Sequence, residues 1–358
     1  MAYRTRWTRL LRGAVLAATA ALAAVGCTSG SASTATGGTA GATAPAVTLA
    51  QASQAFASYV ATSDTAARTG DATLALSDVT GMQWAQVNTG FKTYRSLHLP
   101  PPYTRFTYQT PTLYLPAPAG YPRWFAASVT RAPRTPVSDG VLPVPEHVVM
   151  LFEQASATAP WQLASTSELP DGVSLPVLAV NEDGQRPQVA MSQTAALLAR
   201  PDVVGPLLAA VVDDGPSSPA ARAVATGPLT TSLYQAARAG MGLSTPPGDV
   251  HQWELDGSNY TQFALRTADG GALVFFTMYL DSTIAVPAEL NESEPVNPGP
   301  PITVPGELKV LLPAGTAAPR VELERQDLLS FAAVDPPAGA GKIQVIALGD
   351  ALNYASAS

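Results

Sequence analysis

Of the 358 residues, 46% are hydrophobic and 13% charged, with 28 Gly, 33 Pro, one Cys and a net charge of −7. That is apolar enough for a folded core and excludes an acidic disordered chain, although the charge content is about half the usual ~25%. A lone cysteine excludes an intrachain disulfide framework, a CxxC redox pair and a cysteine zinc cluster. His98, His147 and His251 form no HxH, HxxxH or HExxH pair, so no metal or other cofactor is expected.

Arg4, Arg6, Arg9 and Arg12 stand at the start without an acid, the apolar run 13–25 follows, and Gly26-Cys27 closes it. This is the order of a signal peptide. The run is shorter than the ~20 residues of a spanning helix, and no later segment is apolar for that length, so the mature chain should have no transmembrane helix. Ala24-Val25-Gly26-Cys27 resembles the lipobox of bacterial lipoproteins, with Ala24 where leucine is usual. The resemblance implies cleavage before Cys27, diacylation of that cysteine, and a lipid anchor at the outer face of the cytoplasmic membrane. Residues 1–26 are then the signal peptide and 27–46 a flexible tether, since Thr28 to Ala46 carries no charge and no large side chain. Without the leader, 16 basic residues face 27 acidic ones, a net charge of −11.

The body should hold two tandem domains, 47–191 and 192–358, since the length exceeds one ordinary domain. Leu49, Ala52, Phe56 and Val60 share one helical face, and this helix should end near Gly70. A second helix should run from Gly81 until Pro100, Pro101 and Pro102 stop it. Alternating patterns then predict strands over 103–115, 121–131, 147–154 and 161–167. Asn181-Glu-Asp-Gly184 reads as the turn of a hairpin between 175–180 and 185–191.

The second half repeats the programme. Ser192 should cap a helix through Ala196, Leu197 and Leu198, broken or kinked by Pro201 and Pro206, and another should span about 228–239. Strands are expected at 250–255, 260–266, 272–280, 308–312, 321–333 and 343–348. Thr80-Gly81 and Thr226-Gly227 each precede a helix. The fold class is therefore α+β, with helices followed by a curved antiparallel sheet in each domain. This order resembles the nuclear-transport-factor-2-like and cystatin-like families. The leader, Thr80-Gly81 and Pro122-Arg-Trp-Phe125 together resemble actinobacterial exported lipoproteins of unknown function, a resemblance that implies no activity.

No GxSxG, GxGxxG or Walker loop occurs. Glu322 and Glu324 fall on one strand face, the pattern of a wet side, with Asp327 nearby. Asp213-Asp214-Gly215 reads as a solvated linker. Charge is segregated: from Val79 to Ser138 there is no acid, while Lys92, Arg95, Arg105, Arg123, Arg131 and Arg134 supply six positive charges. Ten aromatic residues share this window, and arginine with aromatic rings suits anionic or sugar-like ligands. Arg105, Arg123, Trp124 and Arg131 are the candidate ligand contacts, and Cys27 the lipidation site. Residues 27–191 carry −2 and 192–358 carry −9, so the halves should face different partners.

The function this supports is a membrane-anchored, non-enzymatic binding or assembly module of the cell envelope. Its partners would be the membrane through the N-terminal lipid, an anionic envelope polymer or lipid headgroup, and another exported protein. The alternative is a cell-wall or lipid hydrolase with a site assembled from dispersed residues. Nucleic acid is not expected for an acidic exported chain.

Overall fold

A computed structural model describes residues 46–358 apart from 102, 135–143, 194–195, 241–242, 244, 246–248, 286–299, 314–315 and 317–318. The leader, Cys27 and the tether to residue 45 lie outside the described residues. Thr48 opens helix α1 (Leu49–Thr69) with a reciprocal capping box to Gln51, and Gly70, at φ 72°, closes it. A short helix that the pattern did not reveal, α2 (Ala72–Ser77), is capped by Asp71. Helix α3 (Gly81–Ser96) follows. The long strand expected over 103–115 is two, β1 (Phe106–Tyr108) and β2 (Thr112–Tyr114). Pro111, which has no N–H to give a ladder, separates them. Strands β3 (Arg123–Pro133), β4 (Glu146–Gln154) and β5 (Gln162–Leu169) complete this half.

The second half comprises α4 (Pro201–Asp214), α5 (Thr231–Arg238), β6 (Val250–Gly257), β7 (Phe263–Arg266), β8 (Ala272–Ala285), α6 (Gly306–Lys309), β9 (Glu322–Asp335) and β10 (Gln344–Ala357). Two expectations are corrected here. The helix expected from Ser192 begins only at Pro201, whose missing N–H costs nothing in a first turn. Its expected first residues bond elsewhere, Leu198 N–H to Pro336 O and Ala196 O from Ala338 N–H. The strand expected at 308–312 begins inside α6, where the Leu308 and Lys309 N–H groups both donate to Pro305 O.

Among the described residues the strands form one antiparallel sheet in the order β1-β3-β4-β5-β10-β9-β8-β6, with β2 also beside β3 and β7 beside β8. The fold is thus α+β, and the strands of the two halves join through β5 and β10 where two sheets were expected. That junction holds a single ladder pair, Glu168 with Leu348. Beside it a Cβ on Gly349 would lie 2.0 Å from the Thr166 carbonyl oxygen. Ser167 reaches past this glycine to bond Ser330 Oγ at 2.8 Å.

Beyond the junction β5 and β10 part, and α3 fills the gap. Thr80 N–H bonds the edge of β5 at Leu163 O. On β10, Asp350 O accepts from Gln86 and Leu352 O from Thr89 at 2.9 Å. Met82 and Ala85 pack on Leu328 and Ala351.

The far edges of the sheet also meet. The Asn181–Gly184 turn forms, with Gly184 at φ 77° and Asn181 Oδ1 accepting from Gln185 N–H. Its arms then bond outward instead of making an independent hairpin: Arg186 bridges Pro116 after β2, Gln188 bridges Leu265 on β7, and Leu178 bridges Thr267. The sheet therefore folds back on itself. Trp124, Ala126, Val149 and Leu151 face Phe263, Leu273, Phe275 and Ile346 inside it. Outside, α1 covers Phe125, Met150 and Phe152, and α4 and α5 cover Phe276, Met278 and Phe331.

Gly349→Ala should lower unfolding free energy by about 3 kcal/mol or more, because the added methyl meets backbone that can move only by separating β5 from β10. Gly257→Ala, where an added Cβ meets nothing within 4 Å, should cost far less. Urea unfolding of both variants checks this.

Candidate functional site

The cationic window does not assemble into one face. Arg105 makes a bidentate ion pair with Asp64 on α1, at 2.7 and 2.8 Å. The same carboxylate lies 3.6 Å from Arg134. Hydrogen bonding from Arg105 holds Asp64 below the usual carboxylate range, against a smaller effect of burial. Arg131 pairs with Glu146 at 3.0 Å and lies over the Phe106 ring. Arg123 bonds Gln154 and lies near the rings of Tyr121 and Trp161. Trp124 is 3% exposed and stacks on Phe263 at 4.5 Å. It donates to Gln188.

Asp64 and Glu146 lie outside the acid-free window in sequence and beside its arginines in space. Arg123 and Arg131 share a face of β3, but eight residues of strand put them roughly 26 Å apart. The four candidate contacts thus occupy separate surroundings, each arginine with a partner from its own chain. Cys27 lies outside the described residues.

An open polar surface lies instead at the far end of the second half. Strands β8, β9 and β10 each run 14 residues, against 11, 9 and 8 for β3, β4 and β5. Their ends overhang the inner core. On the inner side of the overhang, period-two alternation presents Gln252, Glu254 and Asp256 from β6, Tyr279, Asp281 and Thr283 from β8, Glu322, Glu324 and Gln326 from β9, and Tyr354 and Ser356 from β10. All are half-buried or exposed, and Tyr354 is 51% exposed.

This surface is ordered by its own hydrogen bonds. Asn353 donates to Gln326 at 2.7 Å, Gln326 to Asp281 at 2.9 Å, and Ser356 to Glu324. Glu254 stands directly opposite Asp281 on the neighbouring strand. Burial raises the Asp281 pKa; the bond from Gln326 works against that rise, and nearby Asp256 and Glu324 add to it. Carboxylates crowded this way favour a nearby cation. Glu322 and Glu324 share this face, as their spacing indicated, whereas Asp327 points through the sheet to the other side.

There Asp327 makes a bidentate pair with Arg325, at 2.6 and 3.0 Å, with side chains 1% and 4% exposed. Burial disfavours the Arg325 charge, but Asp327 more than restores it. On the same side the Ser282 Oγ and His251 Nε2 atoms are buried without a hydrogen-bond partner, so these two do not bond each other. Burial lowers the His251 pKa. Asp213, expected to be solvated, accepts from Leu255 N–H at 2.9 Å. Burial pushes its carboxyl up to about 6 against that bond. Glu153, paired with Trp124 across the ladder, is pushed by burial up to about 7. No group of three or more His, Cys, Asp or Glu among the described residues is placed to hold a metal ion.

An α+β chain with one folded sheet and an open polar end is the class these observations define. The chain belongs to the family described as a domain of unknown function, DUF8094, whose model matches residues 43–356. It is similar to an uncharacterized lipoprotein of Streptomyces avermitilis, 27% identical over 311 residues that cover 84% of this chain and 82% of that protein. No solved structure matches it. Family and relative agree with the resemblance to an actinobacterial lipoprotein of unknown function. No helix among the described residues is long and apolar enough to cross a membrane.

Two stability predictions follow from the buried charges. Arg325→Met leaves Asp327 buried without its counter-charge and should cost about 3–5 kcal/mol, while the double variant Arg325→Met/Asp327→Leu should regain most of it; denaturant unfolding of both checks this. For Glu153 the folded pKa lies above its ordinary 4.5. The folded state therefore holds a proton that the unfolded state has released, and this contribution to stability is lost as pH rises through about 7. Glu153→Gln should flatten the fall in urea midpoint across that range; an unchanged pH profile would refute the assignment.

Proposed function

We propose that this protein is a lipid-anchored, non-enzymatic binding module of the cell envelope, held at the outer face of the cytoplasmic membrane through Cys27. Its binding surface is the overhanging inner face of β6, β8, β9 and β10, and its partner is a basic segment of another exported protein. The observation that carries this reading is the composition of that face. Glu254, Asp256, Asp281 and Glu324 stand on adjoining strands with amide, hydroxyl and tyrosine groups between them, in a half whose net charge is −9. A hydrogen-bonded sheet surface is already ordered, so little side-chain entropy remains to be lost on binding. Its uniform sign attracts a cationic segment and repels acidic ones.

Decalysine is a suitable probe of the mature chain in detergent. Binding measured by fluorescence anisotropy should weaken with salt, since surface charges are screened beyond about 8 Å at physiological ionic strength. The triple variant Glu254→Gln/Asp256→Asn/Glu324→Gln should bind at least about ten-fold more weakly, a difference of roughly 1.4 kcal/mol. Equal binding by variant and parent would refute the surface.

A further inference from the structure

The loop between β2 and β3, residues 115–122, reads Leu-Pro-Ala-Pro-Ala-Gly-Tyr-Pro and carries no charge. Pro118 and Ala119 are exposed, and Tyr121 is 42% exposed. Val47 lines a shallow hollow with Pro116, Pro118, Ala119 and Pro122, together with Gln188 and with Arg123, which is buried and bonded to Gln154. Val47 is itself buried in the cluster under α1, so the N-terminal side of the body is held firmly against this loop. Two residues on, Leu49 is 62% exposed. Exposed apolar groups thus stand within a few residues of the point where the chain joins the body, on both the loop and the start of α1. Singly exposed hydrophobic residues need no explanation, but several of them at the root of a lipid tether are in a position to meet the membrane.

Only 18 residues separate Cys27 from Ala46. At about 3.5 Å per residue they reach at most roughly 65 Å. The tether therefore keeps this end of the body near the bilayer and at high local concentration there. The acidic face lies elsewhere: Trp124, just after the loop, stacks on Phe263, which pairs with Phe275 on β8. Asp281 is six residues further along that strand, about 20 Å away.

We infer that the 115–122 loop, with Leu49, docks into the interfacial region of the same membrane that holds the Cys27 lipid, with Tyr121 as its aromatic anchor. Tyrosine suits this depth because its ring is apolar and its hydroxyl stays wet. Glu182 and Asp183 of the adjoining 181–184 turn are exposed, so contact is through apolar burial and not through attraction to anionic headgroups. This orientation turns the acidic face away from a negatively charged bilayer. The inference rests on the Cys27 anchor of the proposed function.

The test uses the full mature lipidated chain reconstituted in vesicles. Cys27 is the chain's one cysteine and carries the lipid in the proposed anchor, so an environment-sensitive fluorophore can be placed on Ala119→Cys, with Gln252→Cys on the acidic face as control. Flotation with the vesicles is read in parallel. The expected result is emission at 119 at least about two-fold stronger than at 252, quenched by brominated lipid and little changed by salt, as apolar interfacial insertion requires. Adding Leu49→Glu/Tyr121→Glu should abolish the enhancement while the protein still floats. A protein that floats while both labels report water overturns the docking and leaves the anchor intact. Enhancement that survives the double substitution also overturns it. Loss of flotation by the parent chain overturns the anchor and the docking together.

Discussion

The passage of the Thr166 carbonyl over Gly349 joins the two halves, and much of the remaining architecture follows from it. Two backbones can approach this closely only where one residue has no Cβ. Because β5 and β10 meet at one ladder pair and then diverge, each keeps an unpaired edge inside the molecule. Buried edge carbonyls need donors. Helix α3 supplies them through Gln86 and Thr89, so a helix of the first half packs onto strands of the second. The 178–189 connector then bridges the outer edges and brings Trp124 face to face with Phe263.

Strand length decides what stays open. The first-half strands are too short to cover β8, β9 and β10, and α3 bonds β10 at Asp350 and Leu352. Beyond that point the inner side of the sheet meets water, and its alternation changes from Phe275 and Ala332 to Asp281 and Glu324. The two halves also spend their charge differently. In the first, Asp64 and Glu146 neutralise arginines of the same half. In the second, Asp327 is matched within the core by Arg325, while the carboxylates on the inner side of the overhang make no ion pair among the described residues. An open, acidic sheet face is the consequence.

The aromatic and basic run from 79 to 138 looked like a ligand surface because its acids were missing locally. They arrive through space: Asp64 comes 41 residues before Arg105 and Glu146 15 after Arg131. Trp124 could equally have faced solvent or core by its strand position. Folding of the sheet sent it inward. The overhang, in contrast, was half legible, since Glu322 and Glu324 alternate with apolar residues. That β6, β8 and β10 bring Glu254, Asp281 and Ser356 beside them was not, because register between strands is set by nonlocal pairing.

By itself the sequence determined the basic-then-apolar order of the first 26 residues and the lipobox resemblance at Cys27, the apolar face and the glycine stop of α1, the helical span of α3, and the strand character of most of the sheet. These are local: a cap, a period or a proline acts within a few residues. Only the tertiary structure decided that both strand sets form one sheet, that 196–199 bond to 336–338 instead of beginning a helix, and which carboxylate each arginine meets. Periodicity tells which face of an element is buried, but not what buries it; that choice belongs to contacts between residues far apart in the chain, such as the Thr166 carbonyl against Gly349.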